Sequence, residues 1–206
     1  MPNPRTVVRT NASPNSVKHV QLTAVTFQAL WDAYPMGNPY DNSTYSNQCA
    51  IRMSVMLHRV GIEMKSFSSK VIKPLGGQPS IGRILIDGKA TATRANELGE
   101  WLKLQPIAGM GNAENITGTN WESRVEGRTG IIMFDGYWAR DRESADNASG
   151  GHIDLWNGSR LTISSAQGVF SVFGRMIGIE RAHIPGTSYG YSDLRKSKTV
   201  LFWEIK

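Results

Sequence analysis

Apolar residues recur at helical spacing in two stretches of this chain. Between Gln48 and Val60, Cys49, Met53, Met56/Leu57 and Val60 form one stripe, the period of a helix with a single buried face. Ser46 or Asn47 is placed to cap its start, and Gly61 to cap its end. Between Thr93 and Leu104 the pattern repeats with Ala95, Leu98, Trp101 and Leu102, and Pro106 lies beyond. A further helix is predicted over Leu22 to Tyr34, with Val25, Leu30 and Trp31 on its apolar side and Pro35 stopping it.

Later in the chain the pattern turns to strands. Gly130 to Phe134 is an unbroken apolar run, and Thr199 to Ile205 reads as a terminal strand. Val169 to Glu180 offers another. In Gly151 to Ser165, two β-prone runs flank Asn157-Gly158, a strong short-range hairpin signal. Met36–Asn47, Lys70–Lys89, Ile107–Glu126 and Ala139–Gly150 read as loops or irregular segments. Helices first and an antiparallel sheet afterwards is the α+β order. The Pro- and Asn-containing residues 1–21 read as a flexible or extended arm, and residues 22–206 as one domain.

Composition narrows the function classes. The 206 residues can bury a sizeable core. With one cysteine, Cys49, an intrachain disulfide and a cysteine-rich zinc site are excluded. No apolar run approaches the ~18 residues of a membrane span, and the N-terminal segment has no signal-peptide core. Action outside the cell would therefore need a dedicated export machine. The net charge of +6 favours an anionic partner. No basic run marks a nucleic-acid arm, and Arg195-Lys196-Ser197-Lys198 reads as a solvated turn. No metal-ligand spacing or phosphate-cradling glycine motif is present, so neither a metal nor a cofactor is expected.

Cys49 is the residue that invites chemistry. At the first turn of a helix, unpaired N–H groups and the helix dipole favour a thiolate. The structural alternative is a buried, inert cysteine. A base must come from one of four histidines. His58 lies nine residues on, on the opposite helix face and roughly 13 Å along the axis, so it reads as a surface residue. His19 and His183 fall in the arm and in a loop. His152 opens a strand after Gly150-Gly151, where small neighbours leave room for substrate. A strand histidine meeting a helix-start cysteine is the papain-type arrangement. If Asn157-Gly158 is a two-residue turn, Trp156 pairs with Ser159 and His152 faces Ile163, which cannot orient an imidazole. Asp154, two residues along the same face, and Ser165, a diagonal neighbour, are the candidate orienters, while Asn157 in the turn reads as structural. Asp154 could instead pair with Arg160 across the hairpin.

Three segments carry a resemblance: Ser46-Asn47-Gln48-Cys49-Ala50-Ile51-Arg52-Met53-Ser54, Gly130 to Phe134, and Gly151-His152-Ile153-Asp154-Leu155-Trp156-Asn157-Gly158-Ser159-Arg160-Leu161-Thr162. The helix Arg94 to Leu102 and the tail from Ser192 to Trp203 support it. The chain resembles the fourth family of type VI secretion amidase effectors over roughly Trp31 to Lys206. The resemblance implies a papain-like, NlpC-type cysteine peptidase. Such enzymes are injected into the periplasm of rival Gram-negative bacteria, where they cut peptidoglycan stem peptides between γ-D-glutamate and meso-diaminopimelate. A cognate immunity protein protects kin. The family's cysteine and histidine carry over onto Cys49 and His152. Its third residue, an aspartate eleven positions after the histidine, falls here on Ile163. The resemblance also implies an oxyanion site built on the Cys49 N–H, with Tyr45 as oxyanion-site or groove wall. Two other readings stand beside it: a cysteine-dependent deamidase or acyltransferase acting on a protein, and a binding protein on an inactive papain-like fold.

Overall fold

The computed structural model describes residues 7–10, 18–45, 47–138, 150–162 and 194–206. The elements run β1 (Val7–Thr10), β2 (Lys18–Gln21), α1 (Phe27–Ala33), α2 (Cys49–Arg59), β3 (Arg83–Ile86), β4 (Lys89–Ala92), α3 (Ala95–Lys103), β5 (Ala113–Asn115), α4 (Trp121–Val125), β6 (Gly130–Trp138), β7 (Gly150–Trp156) and β8 (Thr199–Glu204). A 3-10 turn, Leu194–Lys196, precedes β8. The α+β expectation holds. Among the described residues, β5-β8-β6-β7 form one antiparallel sheet, and β1-β2 and β3-β4 form two separate hairpins. No described helix is long and apolar enough to cross a membrane.

The period-2 alternation of the central strands separates two cores. On one face Ile131, Met133, Ile153, Leu155, Leu201 and Trp203 pack with the buried stripes of α1, α2 and α3. On the other, Ile132, Phe134, Trp156, Val200 and Phe202 pack with Trp121 and Val125 of α4 and with Leu194. Trp121 meets Phe134 and Trp156 edge-on, at centroid distances of 4.9 and 5.4 Å, a favoured aromatic geometry. In α3, Gly99 lies against Met133; a Cβ there would sit 2.2 Å from its sulfur. Glycine therefore lets the helix reach the sheet.

Several boundaries differ from expectation. The first helix starts at Phe27, because the Thr26 hydroxyl caps it by accepting from the Ala29 N–H at 3.3 Å. Tyr34 ends it in extended conformation, the geometry a following proline imposes. Gln48, not Asn47, is the N-cap residue of α2, and Val60 is its C-cap. Gly61 follows at φ +86°, in the left-handed region glycine enters without strain. The stretch expected to be irregular before Lys89 contains the β3–β4 hairpin. Its turn is Asp87-Gly88, at φ +50° and +74°, as a two-residue primed turn requires. The loop-rich stretch before Glu126 contains β5 and α4.

The Asn157-Gly158 turn is not the two-residue kind. Trp156 pairs with Leu161, not Ser159. The Asn157 side-chain oxygen accepts from the N–H groups of Ser159 and Arg160 at 3.1 and 2.9 Å, closing a longer loop in which Gly158, at φ +94°, alone is left-handed. The count that set His152 opposite Ile163 rested on the shorter turn and does not hold. Ile163, Ser165, His183 and the strand expected over Val169–Glu180 lie outside the described residues.

Candidate active site

Cys49 is the first residue of α2 and is 4% exposed. Two contacts fix the start of its helix. Gln48 is buried, and its carboxamide clasps the Tyr40 backbone, accepting from the N–H at 3.1 Å and donating to the carbonyl at 2.6 Å. The Asn47 carboxamide oxygen lies 3.4 Å from the Cys49 N–H. Further along, the Ser54 hydroxyl donates to the Ala50 carbonyl at 2.8 Å and accepts from the Ala92 N–H at 3.0 Å. It ties α2 to the β3–β4 hairpin.

β7 borders the sheet among the described residues, and every one of its residues is buried. It presents His152 to Cys49, and the two side chains hydrogen-bond. The Ile153 backbone N–H also bonds the Cys49 sulfur. Burial alone would push the thiol up. The His152 hydrogen bond and charge, the Ile153 N–H and the Arg52 guanidinium outweigh it, and the thiol sits below its ordinary value. For His152 burial favours the neutral ring, but the Asp154 and Cys49 side chains win and raise its pKa. Each partner thus favours the charged form of the other, the electrostatics of a thiolate–imidazolium pair.

Asp154 Oδ2 lies 3.3 Å from His152 Nε2, which leaves Nδ1 as the ring nitrogen free to serve Cys49. The carboxylate is itself held. Oδ1 accepts from the Leu155 N–H at 2.8 Å and from the Thr162 hydroxyl. Behind it stands Tyr34, hydrogen-bonded to Thr162 and Arg52. Burial, helped by the Asp154 charge, drives its phenol far up, so it stays neutral. Arg160 does not pair with Asp154; its guanidinium lies 5.2 Å from the centre of the Trp31 ring. Gly151 permits the close approach of α3 beside His152, since a Cβ there would fall 2.2 Å from the Asn96 oxygen.

His58 is not the surface residue expected. It is half-buried, with Nε2 2.9 Å from the Ala90 carbonyl, and it takes no part in the site. Burial lowers its pKa. The structure thus brings together Cys49, His152 and Asp154. Sequence reasoning missed Tyr34, Arg52 and Thr162, which no spacing connects to Cys49 or His152.

A cleft of about 520 Å³ opens over Cys49, within the range of small-ligand sites. Tyr45, Asn47, Arg83, Thr93 and Arg94 are among the residues that line it.

The family profile described as "Type VI secretion system (T6SS), amidase effector protein 4" (Tae4) matches residues 45–203. The chain is similar in fold to the crystal structure of the type VI effector Tae4 from Enterobacter cloacae, at TM-score 0.50 and 19% identity, covering 89% of this chain and 98% of that one. It is also similar to the type VI effector–immunity complex Tae4-Tai4 from the same organism, at TM-score 0.48 and 18% identity, covering 89% and 100%. No curated protein sequence matches. The profile spans most of the chain, including the Cys49 helix, the His152 strand and nearly all of the terminal strand, and on that match the chain belongs to the Tae4 family of type VI secretion amidase effectors.

Proposed function

We propose that Cys49, His152 and Asp154 form the catalytic triad of a peptidoglycan amidase, which cleaves the bond between γ-D-glutamate and meso-diaminopimelate. The observation that carries this reading is the thiol at the helix start, lowered in pKa by a histidine that a carboxylate holds from behind.

His152 Nδ1 takes the Cys49 proton, and the thiolate attacks the γ-glutamyl carbonyl carbon. The oxygen gains negative charge at the N-terminus of α2, whose first N–H groups have no partner within the helix. The Cys49 N–H, held only loosely by Asn47 at 3.4 Å, turns to the oxyanion. His152 then gives its proton to the leaving amine of diaminopimelate, and a thioester remains. Water, deprotonated by His152, hydrolyses it and restores the thiol. Asp154 keeps the ring oriented and stabilises its charged form throughout. Tyr45 is a wall of the groove.

The setting follows from the family. The enzyme is exported by the type VI apparatus into the periplasm of a target bacterium, and a cognate immunity protein blocks it in kin. Residues 22–206 act as one domain and residues 1–21 as an appended arm. Among the described residues β1 pairs only with β2, apart from the four-stranded sheet, which supports that division.

The test is digestion of purified muropeptides by wild type and Cys49→Ala, read by mass spectrometry. The wild type should split the stem between glutamate and diaminopimelate, with the variant silent. Intact stems, or release of ammonia from glutamine in place of a new amine, would overturn the assignment.

A further inference from the structure

Two arginines line the cleft over Cys49, and their bonding differs. Arg94 is committed to the protein. Its Nη1 donates to the Ser80 carbonyl at 2.8 Å and to Glu97 at 2.9 Å, and its Nη2 to Gln78 at 2.8 Å. Glu97, 2% exposed, also accepts from the Leu75 and Gly82 N–H groups at 2.8 and 2.6 Å. This network is a brace for the cleft wall.

Arg83 is the opposite case. It is exposed, and its one side-chain hydrogen bond among the described residues is from Nε to the Phe67 carbonyl at 3.1 Å. That bond fixes the plane of the guanidinium and leaves the Nη1–Nη2 edge without a hydrogen-bond partner among the described residues. The residue itself is rigidly placed. It opens β3, pairs with Ala92 of β4, and Ala92 is bonded to Ser54 of the Cys49 helix. An anchored arginine presenting a free two-nitrogen edge is pre-organised for a bidentate carboxylate.

We propose that Arg83 is a substrate-binding residue that takes a free carboxylate of the stem peptide, next to the bond cut at Cys49. The inference rests on the amidase reading, which supplies such groups on both sides of the scissile amide: the α-carboxylate of γ-linked glutamate and a carboxylate of diaminopimelate. Both share one chemistry, and amidation of each in turn separates them.

The experiment measures kcat and KM for wild type, Arg83→Met, Arg83→Lys and Cys49→Ala. The substrates are a native muropeptide, one with isoglutamine in place of glutamate, and one with amidated diaminopimelate. For wild type, one of the two amidations should raise KM by about 10–100-fold, the loss expected for a charge-assisted bond. Arg83→Met should show that raised KM on the native substrate, a kcat within about twofold of wild type, and no further response to amidation. Arg83→Lys should recover part of the loss. The amidated substrates probe the wild-type chain directly, so the result does not depend on a variant folding. A wild type indifferent to both amidations, or an Arg83→Met that keeps wild-type KM and discrimination, would overturn this proposal alone. A wild type as silent as Cys49→Ala on all three substrates would overturn it together with the amidase reading.

Discussion

Replacing Asp154 by asparagine isolates what the carboxylate contributes to His152. The two side chains, Asp154 and His152, are 5% and 10% exposed, so their 3.3 Å contact is poorly screened by water. A hydrogen bond to a charged group is worth about 1.5–3 kcal/mol, which corresponds to roughly 10–150-fold in kcat. Asparagine adds a second fault. Its oxygen can keep the bonds from the Leu155 N–H and the Thr162 hydroxyl, which turns its NH₂ towards Nε2. Nε2 must then accept, and the ring proton moves to Nδ1, where the Cys49 proton should go. An inverted tautomer of this kind carries the loss towards ~10⁴-fold. The pH profile gives a second readout. After burial, which lowers it, the Asp154 hydrogen bond is the largest single influence on the His152 pKa, and it raises it, so the alkaline limb of kcat/KM should move to lower pH in Asp154→Asn. The assay is muropeptide turnover across pH, with a melting curve showing that the fold is kept. A variant with at least a third of wild-type kcat and an unmoved alkaline limb would refute the reasoning. The orienting role would then pass to another group, with Ser165 the first to substitute.

Two further predictions concern stability. Ser54→Ala removes the buried hydroxyl that accepts from the Ala92 N–H; an orphaned buried donor costs about 1–3 kcal/mol, a fall of roughly 2–10 °C in Tm for a chain of this size, and an unchanged melt would contradict it. Asp135, next to Asn96, has its pKa raised mainly by burial. A raised folded-state pKa means that stability is lost as pH climbs from about 3.9, the ordinary aspartate value, through the folded value. Asp135→Asn should therefore melt above wild type at pH 7 but not at pH 3, and equal differences at both pH values would contradict the assignment.

The helical stripes were legible because burial on one face leaves a regular trace. Met53, Met56 and Leu57 in α2, and Leu98, Trp101 and Leu102 in α3, are buried as their spacing requires. So were β6 and β8, whose apolar runs have few other uses. The β3–β4 hairpin had a signal too. Asp87-Gly88 between Arg83–Ile86 and Lys89–Ala92 is a primed-turn sequence, but Gly76, Gly77 and the nearby prolines obscured it. Asn157-Gly158 carried the same signal, yet the Asn157 side chain captured the following N–H groups and lengthened the loop. Dipeptide propensity does not decide between these outcomes; local side-chain bonding does. The site was legible in part. Cys49 follows from its place at a helix start, and His152 from elimination supported by the family resemblance. Asp154 was one of two candidates, since spacing places it on the right face without showing that Thr162 and the Leu155 N–H aim it. The buried Tyr34 and the half-buried Arg52 come together only through tertiary packing, which no local pattern records. Arg83 became visible only once the hairpin was seen.

The central claim is that His152 holds Cys49 as a reactive thiolate. Cys49 is the chain's only cysteine, so alkylation by iodoacetamide, followed as intact mass against pH, reports on this residue alone. The wild type should label with a pH midpoint below the ordinary thiol value of about 8.5. In His152→Ala burial is left as the stronger influence, and the midpoint should rise to that value or above. A wild type with an ordinary midpoint, or a midpoint unmoved by His152→Ala, would contradict the account.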